Sequence, residues 1–134
     1  MHSISCPFCQ LDPDKIIFQN DLAVAFFDGY PVNPGHVLVV PRRHVENFFA
    51  SSQEEKIAIC QLLETCKKIL DKSRKPGGYN VGINIGQVAG QTVMHFHVHL
   101  IPRYKGDIDD PRGGVRGVIP SKRIYQPENS SIDG

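Results

Sequence analysis

The stretch GQTVMHFHVHLIPR, residues 90–103, decides how this chain is read. At its centre His95, His97 and His99 occupy every second position, which is the period of a β-strand. A strand over residues 92–102 puts the three imidazoles on one face. It puts Phe96, Val98 and Leu100 on the other, where they can pack on a core. Half of the six histidines of the chain fall in these five residues. A strand that needs only a polar outer face would use Thr, Lys or Ser, so the row points to chemistry.

Working outward, residues 79–85 (YNVGINI) read as the strand before it, with a flexible loop over 86–90. Residues 15–19 (KIIFQ) and 22–28 (LAVAFFD) read as a hairpin around the polar pair Asn20-Asp21. Residues 36–40 (HVLVV) form a third strand, stopped by Pro41. A short helix is expected over 45–50. A long one begins at Ser51 or Ser52, whose hydroxyl caps a first turn carrying Glu54 and Glu55. Its apolar stripe runs Ile57, Cys60, Leu63, Cys66 and Leu70, widened by Ile59, Leu62 and Ile69. Cys60 and Cys66 read as small buried residues, and Pro76-Gly77-Gly78 ends the helix. The basic residues before that end suit a solvated helix terminus rather than a binding patch. The order β-β-β-α-β-β gives an α+β class: a five-stranded antiparallel sheet with one long and one short helix. Residues 104–134 read as an irregular tail on a single domain, with the last few residues disordered.

The 134 residues suffice for one domain with its own core. Fifteen Lys and Arg balance fourteen Asp and Glu, which excludes a non-specific nucleic-acid binder but not a locally cationic site. No apolar run approaches a membrane span, and the first residues lack the regions of a signal peptide. A cytoplasmic protein without membrane association is expected. Glycine-rich phosphate loops are absent, so a Rossmann or P-loop reading fails.

One metal ion cannot easily take all three histidines. The outer Cα atoms of such a row are about 13 Å apart, whereas zinc–nitrogen bonds are about 2.1 Å. Phosphoryl chemistry suits the remainder. A neutral imidazole is a nucleophile at neutral pH, and rings fixed on a rigid element are preorganised to act together. Cys6-Pro7-Phe8-Cys9 is either a redox dithiol or half of a zinc site. The next residues, Gln10-Leu11-Asp12-Pro13-Asp14, start no convincing helix, which favours zinc if two further ligands exist.

His95-Phe96-His97-Val98-His99-Leu100-Ile101 resembles the signature of the histidine triad (HIT) family. Pro34-Gly35-His36-Val37-Leu38-Val39-Val40-Pro41 and Ala89-Gly90-Gln91-Thr92-Val93 resemble the segments that accompany it, so the likeness covers roughly residues 6–103. The resemblance implies that His97 attacks an α-phosphorus to give a nucleotidyl-histidine, which water resolves to a nucleoside monophosphate. It implies that His99 contacts phosphate and that His36 orients the row. Gln91 would contact the phosphate or the bridging atom, Asn84 would line the phosphate site, and Asp28 would bind the ribose. Phe8, Phe26 and Phe27 are candidate walls for a purine base, at least one of them equally readable as core. Some relatives hold zinc through two N-terminal cysteines, a histidine after the third strand and the first triad histidine. Here those are Cys6, Cys9, His44 and His95, a closed and therefore structural Cys₂His₂ set. No organic cofactor is expected.

The leading reading is a hydrolase of a purine nucleotide or dinucleotide, resembling the fragile-histidine-triad branch that cleaves diadenosine polyphosphates. Phosphoramidate hydrolysis, nucleotidyl transfer or phosphorolysis, and a nucleotide-binding scaffold remain alternatives. Arg112 and Arg116 in the tail are either phosphate contacts or packing. The family further implies a homodimer in which two sheets join into ten strands.

Overall fold

The computed structural model describes residues 5–125; the expectation for the last few residues lies outside this span. Five strands form one antiparallel sheet: β1 (Ile16–Gln19), β2 (Ala23–Phe27), β3 (Val37–Pro41), β4 (Gly78–Gly82) and β5 (Val98–Arg103), in the order β1-β2-β3-β5-β4. The α-helix α1 (Gln53–Ser73) lies between β3 and β4 in sequence and is the single one among the described residues. The β1–β2 turn is closed by Asn20, whose side-chain oxygen accepts from the Leu22 and Ala23 amides. Its amide nitrogen donates to the Ala58 carbonyl, tying the hairpin to the helix.

Strand alternation sorts the apolar residues onto two faces. Ala23, Ala25, Val37, Val39, Val98 and Leu100 pack under α1 with Ala58, Ile59, Leu62, Cys66 and Leu70. Val24, Phe26, Leu38 and Val40 form a second cluster, covered by Phe8, Leu11 and Ile16 of the N-terminal segment. Leu38 pairs with His99 in the β3–β5 ladder, so His99 stands on this second face, opposite the helix.

Helix α1 starts where expected. Ser52 accepts from the Glu55 amide, and the Glu55 carboxylate accepts from the Ser52 amide. The buried stripe is rotated from the expected one. Glu55, Ala58, Ile59, Leu62, Cys66 and Leu70 are buried, while Ile57 and Ile69 are about half exposed and Cys60 is exposed rather than buried. Glu55 causes the rotation. Its carboxylate also takes the Arg43 guanidinium at 2.7 Å, so the capping turn must face the sheet. Replacing Glu55 by Ala removes the cap and leaves Arg43 without its partner. It should cost about 2 kcal/mol in urea denaturation. A change below about 0.5 kcal/mol would show that the cap and its ion pair do not anchor the helix.

Three other expectations are corrected. The short helix over 45–50 is only a 3₁₀ turn, Phe48–Ala50, capped by Asn47. The loop after β4 contains a 3₁₀ turn, Gln87–Ala89, and β4 itself stops at Gly82. The third correction concerns the histidine row. The strand begins only at Val98, so His95 and His97 precede it. Val39–Val98 is the last β3–β5 pair. Beyond it, Pro41 has no amide to donate, and its carbonyl accepts from the His95 side chain.

Candidate active site and metal centre

His95 is fully buried and is held at both ring nitrogens. Its Nε2–H donates to the Pro41 carbonyl at 2.9 Å, which leaves the Nδ1 lone pair facing Cys6 Sγ (3.4 Å) and Cys9 Sγ (3.5 Å). Cys9 Sγ stands 3.1 Å from His44 Nδ1. One ligand atom from each of Cys6, Cys9, His44 and His95 lies within 4.8 Å of all the others. Two thiols and two imidazoles converging in this way suit a tetrahedral zinc ion, and the Pro41 carbonyl is the outer partner that a ligating histidine requires. These residues fit the group, and four donors leave no position for substrate.

His97 uses its ring differently. Its Nδ1–H donates to the carbonyl of His95 at 2.8 Å. In the neutral ring the proton is therefore on Nδ1, and Nε2 carries the lone pair. Phe8 stands edge-on to it at 5.1 Å between centroids, and His99 does so at the same separation.

His99 belongs to a directed chain. The Val32 amide donates to His36 Nδ1 at 3.0 Å. His36 must then bear its proton on Nε2, which donates to His99 Nδ1 at 2.9 Å. His99 is left with its proton on Nε2. The Asp28 carboxylate approaches His36 Nε2 at 3.5 Å and accepts from the Tyr30 amide through its other oxygen. Ligand atoms of Asp28, His36 and His99 also lie within 4.8 Å of one another. A cation there would need a lone pair on His36 Nε2, and the Val32 hydrogen bond denies it one. The cluster is a hydrogen-bond chain rather than a metal site.

Burial pushes His36 below the ordinary imidazole range, with Asp28 pulling the other way. Burial, then the neighbouring His97 and His36, takes His99 down to about 4. Both rings are neutral at pH 7, as the chain requires. The unfolded chain binds these protons more readily, so stability rises with pH in this window. Their contribution is complete above the ordinary value of 6.5 and is lost as pH falls toward 4. A chelator-treated sample should lose about 2 kcal/mol of unfolding free energy between about pH 7 and about pH 4.5. Urea midpoints that stay level over this range would contradict a neutral pair.

His36 and His99 open onto a cleft of about 310 Å³, lined also by Asn80, Asn84, Gly82 and Val115. Gly35 makes the entry to β3 possible: its φ is +90°, and a Cβ there would meet Leu70 at 3.0 Å. Asn84 is thus brought to the histidines, and Asp28 to His36. Gln91 is not free to contact phosphate in this arrangement. It is buried, accepts from the Gly86 amide and donates to the Glu46 and Val93 carbonyls. It holds the loop before the histidines in place. Of the three phenylalanines, Phe26 is core, Phe8 stands on His97, and Phe27 is 47% exposed at the end of β2.

Residues 104–125 of the tail contain two 3₁₀ turns, Gly114–Val118 and Pro120–Lys122. Gly114 and Val115 wall the cleft, a role no motif announced. Arg112 pairs with Asp110, and Arg116 stacks on Tyr125. The Pro41 carbonyl and the Val32 amide were equally invisible in sequence, because backbone groups carry no residue signature.

The HIT domain family matches this chain over residues 10–106. The chain belongs to the HIT family. An uncharacterized HIT-like protein of Saccharolobus solfataricus is 36% identical over 95% of this chain and 94% of its own length. The asymmetrical bis(5'-nucleosyl)-tetraphosphatase of Schizosaccharomyces pombe is 34% identical over 72% of this chain and 53% of its own length. A solved structure, a Zn-bound histidine triad family protein from Mycobacterium smegmatis, is 29% identical and superposes with a TM-score of 0.72, covering 79% of this chain and 80% of that one. The HIT fold thus agrees with the antiparallel sheet and single helix seen here. Among the described residues, no helix is long and apolar enough to cross a membrane.

Proposed function

We propose that this HIT protein hydrolyses a purine dinucleotide, a diadenosine polyphosphate, at its α-phosphate. The observation that carries the reading is the hydrogen bond from His97 Nδ1–H to the His95 carbonyl, which reserves the Nε2 lone pair for attack. Nε2 bonds to the α-phosphorus as the bridging P–O bond breaks, and the departing phosphate keeps the electron pair. The positive charge that then appears on the ring is stabilised through Nδ1–H by the same carbonyl. His99, with its proton on Nε2, donates to a non-bridging phosphate oxygen. Water next attacks the phosphorus, His97 leaves, and a nucleoside monophosphate is released.

Asp28 takes the ribose hydroxyls and Asn84 the phosphate side of the cleft. Cys6, Cys9, His44 and His95 hold a structural zinc, whose chemistry when bound is to cross-link the N-terminal segment to the strand entry. Two copies of the chain pair as a homodimer in the cytoplasm. The likeness to a bis(5'-nucleosyl)-tetraphosphatase supports a polyphosphate over a phosphoramidate substrate.

The test compares turnover of diadenosine triphosphate, diadenosine tetraphosphate and adenosine phosphoramidate. Single-turnover samples are quenched and searched for a nucleotidyl adduct on the peptide carrying His97. A polyphosphate should give the highest kcat/KM and an adduct on His97. Preference for the phosphoramidate would move the substrate class. Release of a nucleoside diphosphate when phosphate is added would make the protein a phosphorylase. Rapid turnover without an adduct would remove the covalent route.

A further inference from the structure

The segment that carries His97 is held by few backbone contacts. Residues 95–97 precede β5 and gain nothing from its ladder. They are fixed by the Phe96 amide donating to the Val45 carbonyl at 2.7 Å, by the burial of Phe96, and by the two ends of the His95 ring. One end of that ring faces the Cys6-Pro7-Phe8-Cys9 turn. The turn is closed on itself: the amides of Cys9 and Gln10 both donate to the Cys6 carbonyl at 3.2 Å. The Cys9 amide also points at Cys6 Sγ, at 3.4 Å. Between the two cysteines, Phe8 places its ring 5.1 Å from His97, 5.9 Å from His95 and 5.5 Å from Phe26.

From these contacts we propose that the Cys6-Pro7-Phe8-Cys9 turn is a positioning device for His97. Phe8 fixes the ring, and the Cys6/Cys9/His44/His95 cluster fixes the carbonyl that receives its Nδ1–H. Only the catalytic consequence rests on reading His97 as the nucleophile. His95 links the two functions: its side chain enters the cluster, and its own carbonyl sets the tautomer of His97. If the cysteine side of His95 is released, the peptide keeps its Pro41 and Val45 hydrogen bonds and the packing of Phe96 but loses the anchor nearest the His97 ring. The His97 proton can then settle on Nε2 and occupy the nitrogen that must attack. Phe8 is therefore assigned to the orientation of a catalytic group rather than to the base of the substrate. The two assignments differ in kinetics: a base wall acts on KM, and an orienting contact acts on kcat.

The experiment uses full-length Phe8→Ala, Phe8→Tyr and Cys9→Ser, with kinetics, zinc content and two-bond proton–nitrogen NMR. The NMR experiment identifies the ring nitrogen that bears the proton in each histidine. His36 is the internal control, because its Nε2–H is set by Val32 and His99, away from the turn. Phe8→Ala should keep the metal content and the His36 signal of the wild type. It should lower kcat about tenfold or more and turn the single Nδ1–H signature of His97 into a mixture. Phe8→Tyr should restore both. Cys9→Ser should lose metal and shift the His97 signature in the same way. A raised KM with unchanged kcat and an unchanged His97 spectrum overturns the proposal. So does a fall in kcat with that spectrum unchanged, or metal loss that leaves His97 as it was. If Cys9→Ser does not fold, the Phe8 pair decides alone. Undiminished turnover in His97→Ala would sink the nucleophile reading, while the spectra would still judge the positioning.

Discussion

His97→Ala is expected to reduce turnover of diadenosine polyphosphate by roughly 10⁴-fold or more, with nucleotide affinity changed only a few-fold. One hydrogen bond sets this expectation. Of the three triad rings, only His97 has its Nδ1–H directed to a main-chain carbonyl while, among the described residues, no hydrogen bond is seen at Nε2. His95 has its Nε2 committed to Pro41 and its Nδ1 to the cysteines. His99 has its Nδ1 committed to His36. A nucleophile must present a lone pair, and removing the ring removes the only candidate among the three. Binding survives because the groups proposed to hold the nucleotide, Asp28, Asn84 and His99, stay in place. Isothermal titration with a non-hydrolysable analogue, alongside rate measurements, separates the two effects. Turnover within about tenfold of the wild type would dismiss covalent catalysis. Loss of binding together with loss of turnover would make His97 a ligand rather than a nucleophile. His99→Ala should be milder, about 10²-fold, since it removes one donor proposed to bond the phosphate.

The histidine row stood out in the sequence, but how each of its rings is held did not. Alternation in HFHVH suggested a strand with three equivalent rings. In the fold, only His99 lies on the strand, and all three rings are buried or half-buried. The ladder ends early because the Pro41 carbonyl accepts from a side chain, and periodicity cannot register such a contact. The strands themselves were well marked, because β2 and β3 are unbroken apolar runs between turn residues. Helix α1 was marked by its capping residues, yet its buried face was misplaced by about one position. Hydrophobicity favoured Ile57 and Cys60, whereas the Arg43–Glu55 pair turned the acidic cap inward. Gln91 shows a different gap. The sequence identified it as a site residue, but a buried amide is used first by the nearest unpaired backbone groups, here Gly86, Glu46 and Val93.

Stripping the metal, or replacing His44 by Ala, is expected to lower the unfolding temperature by about 10 °C or more. Cys6 and Cys9 lie 86 to 89 residues from His95 along the chain. A metal that joins them closes most of the sheet into one loop, and long closures restrict the unfolded chain most. Phe8, Leu11 and Ile16 cover the second apolar cluster, and among the described residues a single 3₁₀ turn, Pro13–Lys15, precedes β1. Without metal, that cover loses its strongest cross-link to the strand entry, and Val24, Phe26, Leu38 and Val40 become more open to water. The domain should still fold, unlike a zinc-finger peptide, because the core under α1 does not involve the cluster. The loss should grow as pH falls, since protons compete for the two thiolates and two imidazoles. Protein purified without a histidine tag should contain about one zinc per chain. A metal content near zero, or melting curves that coincide with and without chelator, would show that the cluster is a hydrogen-bonded thiol–imidazole group. The His36–His99 chain, which shares no atom with it, should keep its neutral rings in either case.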